Sequence, residues 1–256
     1  MTLLFTIMLF AAFGGIASAA FAVVFLWVRE DHSALILPHF ISFATGALLG
    51  AALLALLPEA MAGAGPEGAH DIGLTLVVGL GVFFVIEKLV LWWHAHDTGH
   101  AHDHARDHAS GVLVLVGDSL HNALDGALIA AAFLGSFQLG VLTTLAVAAH
   151  EIPHRVGDFA ILVQAGLSRP RAFLLNLATG VASVLGAVLA YFALRETQRA
   201  LPYALAFAAA GFLYIAVAGL IPGLHRRADP RTSATQIVLI TAGILVVACA
   251  ERLTER

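Results

Sequence analysis

The stretch HEIPHRVGD (His150–Asp158) lies inside an apolar run extending from about Leu139 to Ala165. In a helix, His150 and His154 are i and i+4, so they project from one face a turn apart. Glu151 sits one residue round from His150, and Asp158 one turn beyond His154. The preceding apolar run, about 111–134, carries HNALDG (His121–Gly126). There His121 and Asp125 repeat the i, i+4 spacing, Asn122 adjoins His121, and Asp118 stands three residues earlier. Runs of this length and apolarity read as membrane-spanning helices. A charged side chain near the centre of such a helix costs roughly 2.5–3.5 kcal/mol. A cluster this large is most simply balanced by a cation, and a divalent metal ion is the simplest candidate.

A lone intramembrane histidine would read as a hydrogen-bonded packing residue. Three histidines, an asparagine and at least two carboxylates on neighbouring helices read as a metal site. Pro153 cannot donate to the Ala149 carbonyl, which predicts a kink at the ligands. A freed carbonyl in a membrane must face protein or a hydrated cavity. Cys249 is the single cysteine, which excludes a thiolate cage. Imidazole with carboxylate suits Zn²⁺, and also Fe²⁺, Mn²⁺, Co²⁺, Ni²⁺ and Cd²⁺.

The composition agrees with a membrane protein. The chain is 60% hydrophobic and 12% charged, with mean hydropathy +0.90, whereas a soluble domain carries about 25% charged residues. Its 256 residues accommodate eight spans. These read as about 2–28, 36–57, 72–93, 111–134, 139–165, 171–194, 202–221 and 234–251. The expected architecture is therefore an all-α integral membrane protein of eight transmembrane helices, one domain over residues 1–256. The first run is too long for a signal peptide and lacks its basic start, so it reads as a span. Nothing points to a nucleic-acid partner; the expected partners are divalent metal ions and the lipid bilayer.

Arginine placement gives an orientation. Arg29, Arg106, Arg169, Arg171, Arg226, Arg227 and Arg231 flank the first, third, fifth and seventh joints. Arg195, Arg199, Arg252 and Arg256 fall on the other side. The excess puts both termini outside and the third joint in the cytoplasm. Short loops without a targeting segment suggest a bacterial inner membrane. That third joint, residues 94–110, holds His94, His96, His100, His102, His104 and His108 among aspartates. Such a tract has no core to pack, reads as disordered, and is either a passive linker or a cytoplasmic metal buffer.

Aligning Pro58 with Pro222 sets Phe43-Ala44 on Phe207-Ala208 and Leu56-Leu57 on Leu220-Ile221. Spans two and seven are an odd number of crossings apart, so the related units would be inverted in the bilayer, a common transporter architecture. Three further polar positions are weaker signals. Glu59 ends span two and reads equally as a headgroup residue. Asn176 in span six completes the site or hydrogen-bonds between helices. Glu87 and Lys88 read as mutually neutralising.

At HNALDG, HEIPHRVGDFAILVQAG, LLPEA (Leu56–Ala60) and GFLYIA (Gly211–Ala216) the chain resembles the ZIP family of divalent-metal transporters, closest to its LIV-1 branch. The likeness covers essentially the whole chain. It implies eight helices, with spans one to three and six to eight as inverted repeats around spans four and five. It implies uptake of zinc, or of iron, manganese or cadmium in some members, into the cytosol, by a family that often forms homodimers. Carried over position by position, the transport site is His121, Asn122, Asp125, His150, Glu151 and His154, holding one or two adjacent ions with His154 bridging. Asp118, Asp158, Asn176 and Glu59 are possible auxiliaries. One departure stands out: Arg155 occupies the place where the branch usually has a second glutamate. Pointing inward, its charge would weaken metal binding by repulsion; about 100° round the helix from His154, it would instead pair with Asp158 or Glu151, and either arrangement bears on selectivity and on the second ion.

Two rivals compete. HEIPH matches the H-E-x-x-H of an intramembrane zinc metalloprotease, with Glu151 as general base. Pro153 distorts that turn, and Leu124-Asp125-Gly126 precedes the motif rather than following it. A cation-diffusion-facilitator exporter would explain His121, Asp125 and the histidine-rich joint, but its partner Asp-xxx-Asp helix is missing. A transporter, not an enzyme, is the expected class.

Overall fold

A computed structural model describes residues 2–20, 30–96, 103–164, 166–225 and 229–254. These residues are helical almost throughout, and the described part of each apolar run lies on a helix. The principal helices are α1 (Thr2–Ala12), α2 (Glu30–Gly50), α3 (Leu57–His96), α4 (Asp103–Gly135), α5 (Phe137–Gln164), α6 (Arg169–Arg195), α7 (Leu201–Tyr214) and α8 (Pro230–Thr254). Wider π-helical turns extend α1 over Phe13–Ala17, α2 over Ala51–Leu56 and α7 over Ile215–Leu220. A short helical turn, Ile221–His225, closes α7.

The breaks have local causes. The joint expected over 59–71 is helical except at Gly65, whose φ of 71° stops one helix while Pro66 starts the next. Ser136 alone separates α4 from α5, and its hydroxyl caps the new helix by accepting the Leu139 N–H at 3.1 Å. Gly166, with φ 88°, ends α5. Its N–H reaches the Val163 carbonyl and the Leu167 N–H reaches that of Leu162, the paired bonds of a Schellman cap. Asp229 caps α8 by accepting the Thr232 N–H at 3.0 Å, a bond that holds its carboxyl below the usual range. Around the histidine-rich joint, helical backbone reaches His96 and resumes at Asp103, while residues 97–102 lie outside the described residues.

The molecule is apolar on its outside. Phe5, Val77, Leu189, Ile237 and Val238 are all more than 60% exposed. Asn122, Asp125, His150, Glu151, Arg155 and Asn176 are buried. That inversion of the soluble pattern suits a lipid solvent. Five stretches among the described residues are long and apolar enough to cross a membrane: Thr2–Ala20, Ile36–Leu89, Arg169–Arg195, Leu201–His225 and Pro230–Arg252. The second spans two sequence-read segments, broken at Gly65. The polar motifs sit on α4 and α5, which are not among the five.

Packing groups the helices into two sets that meet where α2 lies against α5 and α7 against α4. In one, α4 lies against α6, α5 against α4, and α1 against α6; in the other, α3 lies against α7 and α8 against α2. Glycines let the backbones touch. A Cβ on Gly126 would stand 1.7 Å from the Ser183 carbonyl oxygen, and one on Gly186 1.9 Å from that of Ala123. Gly15 and Gly180 meet reciprocally, each with 2.8 Å between its imagined Cβ and the other's carbonyl oxygen.

The internal repeat runs further than the sequence suggested. The π-helical turns Ala51–Leu56 and Ile215–Leu220 differ by 164 positions, the offset of Pro58 from Pro222. Each precedes its proline, whose ring needs relief from the carbonyl four residues back. The same offset relates Glu87-Lys88-Leu89 to Glu251-Arg252-Leu253 and Gly79 to Gly243. Gly79 packs on Phe207 and Ala210 of α7; Gly243 packs on Phe43 and Gly46 of α2, their partners at that offset.

Candidate metal centre

Helix α4 presents His121 and Asp125 on one face, and α5 meets that face with His150 and Glu151. The Nε2 atoms of His121 and His150 are 3.4 Å apart. His121 Nε2 lies 3.4 Å from Glu151 Oε1 and 3.7 Å from Asp125 Oδ2. His150 Nε2 lies 3.3 Å from Asp125 Oδ2 and 3.9 Å from Glu151 Oε1. All four donor atoms fall within 4.8 Å of one another. A tetrahedron with zinc-ligand bonds of about 2.1 Å has edges of about 3.4 Å, close to the five separations above, so the cluster is of a size to take a four-coordinate ion.

Nδ1 of His150 faces the Ala146 carbonyl at 3.1 Å. An N–H there leaves the Nε2 lone pair facing the cluster, the usual arrangement of a ligand imidazole. Asp125 Oδ2 and Glu151 Oε1 are buried and accept no hydrogen bond. Orphaned buried carboxylate oxygens need an explanation, and a shared cation supplies one.

Beside the quartet lies a second polar knot, built on Arg155. Its side chain is fully buried. The guanidinium NH1 donates to Asp118 Oδ2 at 2.7 Å, to the Asn176 carbonyl at 2.9 Å and to the hydroxyl of Thr179. NH2 donates to Asn122 Oδ1 and reaches the Gly15 carbonyl at 3.5 Å. Nε is 2.9 Å from Glu151 Oε2, close enough to pair charges, though not aligned for a hydrogen bond. Asn122 Nδ2 donates to the backbone and side chain of Asp118, both at 2.8 Å. Asn176 Nδ2 donates to the Arg155 carbonyl at 2.9 Å.

Comparison with known sequences decides what this arrangement belongs to. The ZIP zinc transporter family matches residues 108–251, more than half of the chain. Zinc transporter ZIP13 of Pongo abelii is 37% identical over 232 residues, covering 86% of this chain and 68% of that protein. Zinc transporter ZIP13 of Homo sapiens is 34% identical, covering 86% and 72%. Zinc transporter YKE4 of Saccharomyces cerevisiae is 29% identical with the same two coverages. The chain belongs to the ZIP family.

As a ZIP protein it is a metal transporter and not an enzyme, and neither the protease nor the exporter reading is favoured. Of the six residues expected at a ZIP transport site, His121, Asp125, His150 and Glu151 converge. His154 stands close by, its ring centre 5.6 Å from that of His121 and 6.1 Å from that of His150, and is exposed. Asn122 is buried beside them with its oxygen turned to Arg155. Among the auxiliaries, Asp118 and Asn176 belong to the arginine knot, Asp158 is half-buried along α5, and Glu59 is exposed in the first turn of α3. In the histidine-rich joint, His100 and His102 lie outside the described residues, while His94, His96, His104 and His108 lie on helical backbone.

The ion-pair partners of Arg155 among the described residues are Glu151 and Asp118. Glu151 was expected from its i, i+4 spacing. Asp118 was not, because it comes from another helix. The Thr179 hydroxyl and the Gly15 carbonyl give no sequence signal at all.

Proposed function

We propose that His121, Asp125, His150 and Glu151 hold a zinc ion during its passage into the cytosol, and that the ion crosses by alternating access. The observation that carries the reading is the quartet itself: four donor atoms on two helices, all within 4.8 Å of one another, with two buried carboxylate oxygens that accept no hydrogen bond. Iron, manganese and cadmium fit the same mixed ligation. Nitrogen–oxygen ligation also suits a carrier, which must release its cargo. His154 is the exposed neighbour that receives the ion or passes it on.

The division of packing supports a carrier of two parts. Helices α1, α4, α5 and α6 carry both polar knots, tied together by Arg155 across all four. The other set, α2, α3, α7 and α8, supplies apolar walls such as Phe212, whose ring centre is 6.3 Å from that of His150. Sliding one set on the other moves the ion without breaking its ligands. The repeat of α2–α3 in α7–α8 supports eight spans with inverted halves. The arginine asymmetry supports termini outside and the histidine-rich joint inside, where its histidines would buffer arriving ions; on this reading the protein resides in a bacterial inner membrane, as a homodimer.

Cells expressing the protein are expected to accumulate zinc, and cells expressing His150→Ala to lose that gain. Lowered cell zinc would indicate an exporter, and zinc unchanged by either protein would contradict transport.

A further inference from the structure

The arginine knot lies directly against the metal quartet and shares Glu151 with it: Oε1 faces the imidazoles, while Oε2 faces Arg155 Nε at 2.9 Å. The knot otherwise consists of oxygen atoms from Asp118, Asn122, Asn176, Thr179 and Gly15, gathered from α1, α4 and α6. Carboxylate, amide, hydroxyl and backbone oxygens converging on one buried point are the donor set of a cation site. Here the cation is covalently part of the chain.

Charge decides how many ions fit. The joined knots contain three carboxylates, Asp118, Asp125 and Glu151. One divalent ion and one guanidinium neutralise them. A second divalent ion beside Arg155 would leave a surplus of two positive charges inside an apolar bundle, where uncompensated charge is costly. Asp158, a turn farther along α5 and only half-buried, joins no ion pair among the described residues.

Resting on the transport-site reading above, we propose that the Arg155 guanidinium fills the place of a second cation. The site thus takes a single divalent ion, and Asp118, Asn122 and the far oxygen of Glu151 serve the arginine rather than the cargo. Arg155 is accordingly a positioning residue: it holds Glu151 with one oxygen turned to the ion, and it sets the stoichiometry.

Crystals of the full-length protein soaked with Cd²⁺ test this by anomalous scattering, which separates the site from the histidine-rich joint by position. Wild type is expected to show one cadmium peak among His121, Asp125, His150 and Glu151. Arg155→Glu removes the fixed cation and adds a carboxylate, so occupancy is expected to rise from one ion to two. Arg155→Lys keeps a cation and is expected to keep one peak. Two peaks in wild type or in Arg155→Lys would overturn the proposal, as would one peak in well-folded Arg155→Glu. Should Arg155→Glu not fold, the wild-type and lysine counts still decide. No peak in the quartet of wild type would instead sink the transport-site reading itself.

Discussion

His121 and His150 face each other across the α4–α5 contact, Nε2 to Nε2 at 3.4 Å. A proton on one nitrogen satisfies that contact, and so does a metal ion bound to both. On the proposed transport site, protons and cargo therefore compete for the same lone pairs. Protonation removes ligands, so zinc uptake is expected to fall as the pH drops from about 7 to about 5.5. Initial rates in vesicles at fixed free zinc check this; a flat or rising profile would contradict it.

The two α5 histidines are expected to differ. His150 is buried within the quartet, whereas His154 is exposed beside it. A ligand that binds only the folded protein stabilises it, by about 2.7 kcal/mol at a hundredfold excess over Kd. Zinc should thus raise the melting temperature of wild type and of His154→Ala, and leave that of His150→Ala almost unmoved. His154→Ala should still transport more slowly. Melting curves with and without chelator, paired with uptake, provide the comparison.

Gly126 follows Asp125 and lies on the Ser183 backbone. Gly126→Ala drives α4 from α6 and carries Asp125 with it. A loss of about 1–3 kcal/mol or more is expected, with weakened zinc binding. Gly157, on α5 near the site, meets nothing within 4 Å of an added Cβ. Gly157→Ala should therefore leave stability unchanged or slightly improved. Thermal stability of the two purified variants settles the contrast.

The repeat makes its own prediction. Gly79 and Gly243 are equivalent, but a Cβ on Gly79 meets side chains, that of Ala210 first at 2.6 Å, whereas one on Gly243 meets the Phe43 carbonyl oxygen at 2.4 Å. Side chains yield more readily than backbone. Both alanine variants should be destabilised, Gly243→Ala more so; denaturation midpoints that reverse this order would count against the packing described.

Much of this was legible in the sequence because helical spacing is a local rule. His121 with Asp125, and His150 with His154, declare their shared faces at i, i+4, and the apolar runs set the helices. The Pro58–Pro222 alignment caught the repeat at one pair of helices. Its extension to Gly79 and Gly243 was hidden, since one matching glycine between apolar helices carries little weight until its contacts are seen. Arg155 shows where local reading ends. Its turn-spaced partner Glu151 was foreseeable, but Asp118, Thr179 and the Gly15 carbonyl reach it from three other helices, and only tertiary packing brings them together. Glu59 illustrates the converse: a carboxylate beside a span end is as much at home at the surface as in a site.

On the proposed mechanism, the quartet on α4 and α5 carries the transported ion. Zinc uptake into proteoliposomes containing the purified protein, compared with Asp125→Ala and His150→Ala, tests it most directly. Wild type should show saturable uptake, and each folded variant at least a tenfold loss, about 1.4 kcal/mol or more of ligand interaction. Undiminished uptake by either variant would contradict the mechanism.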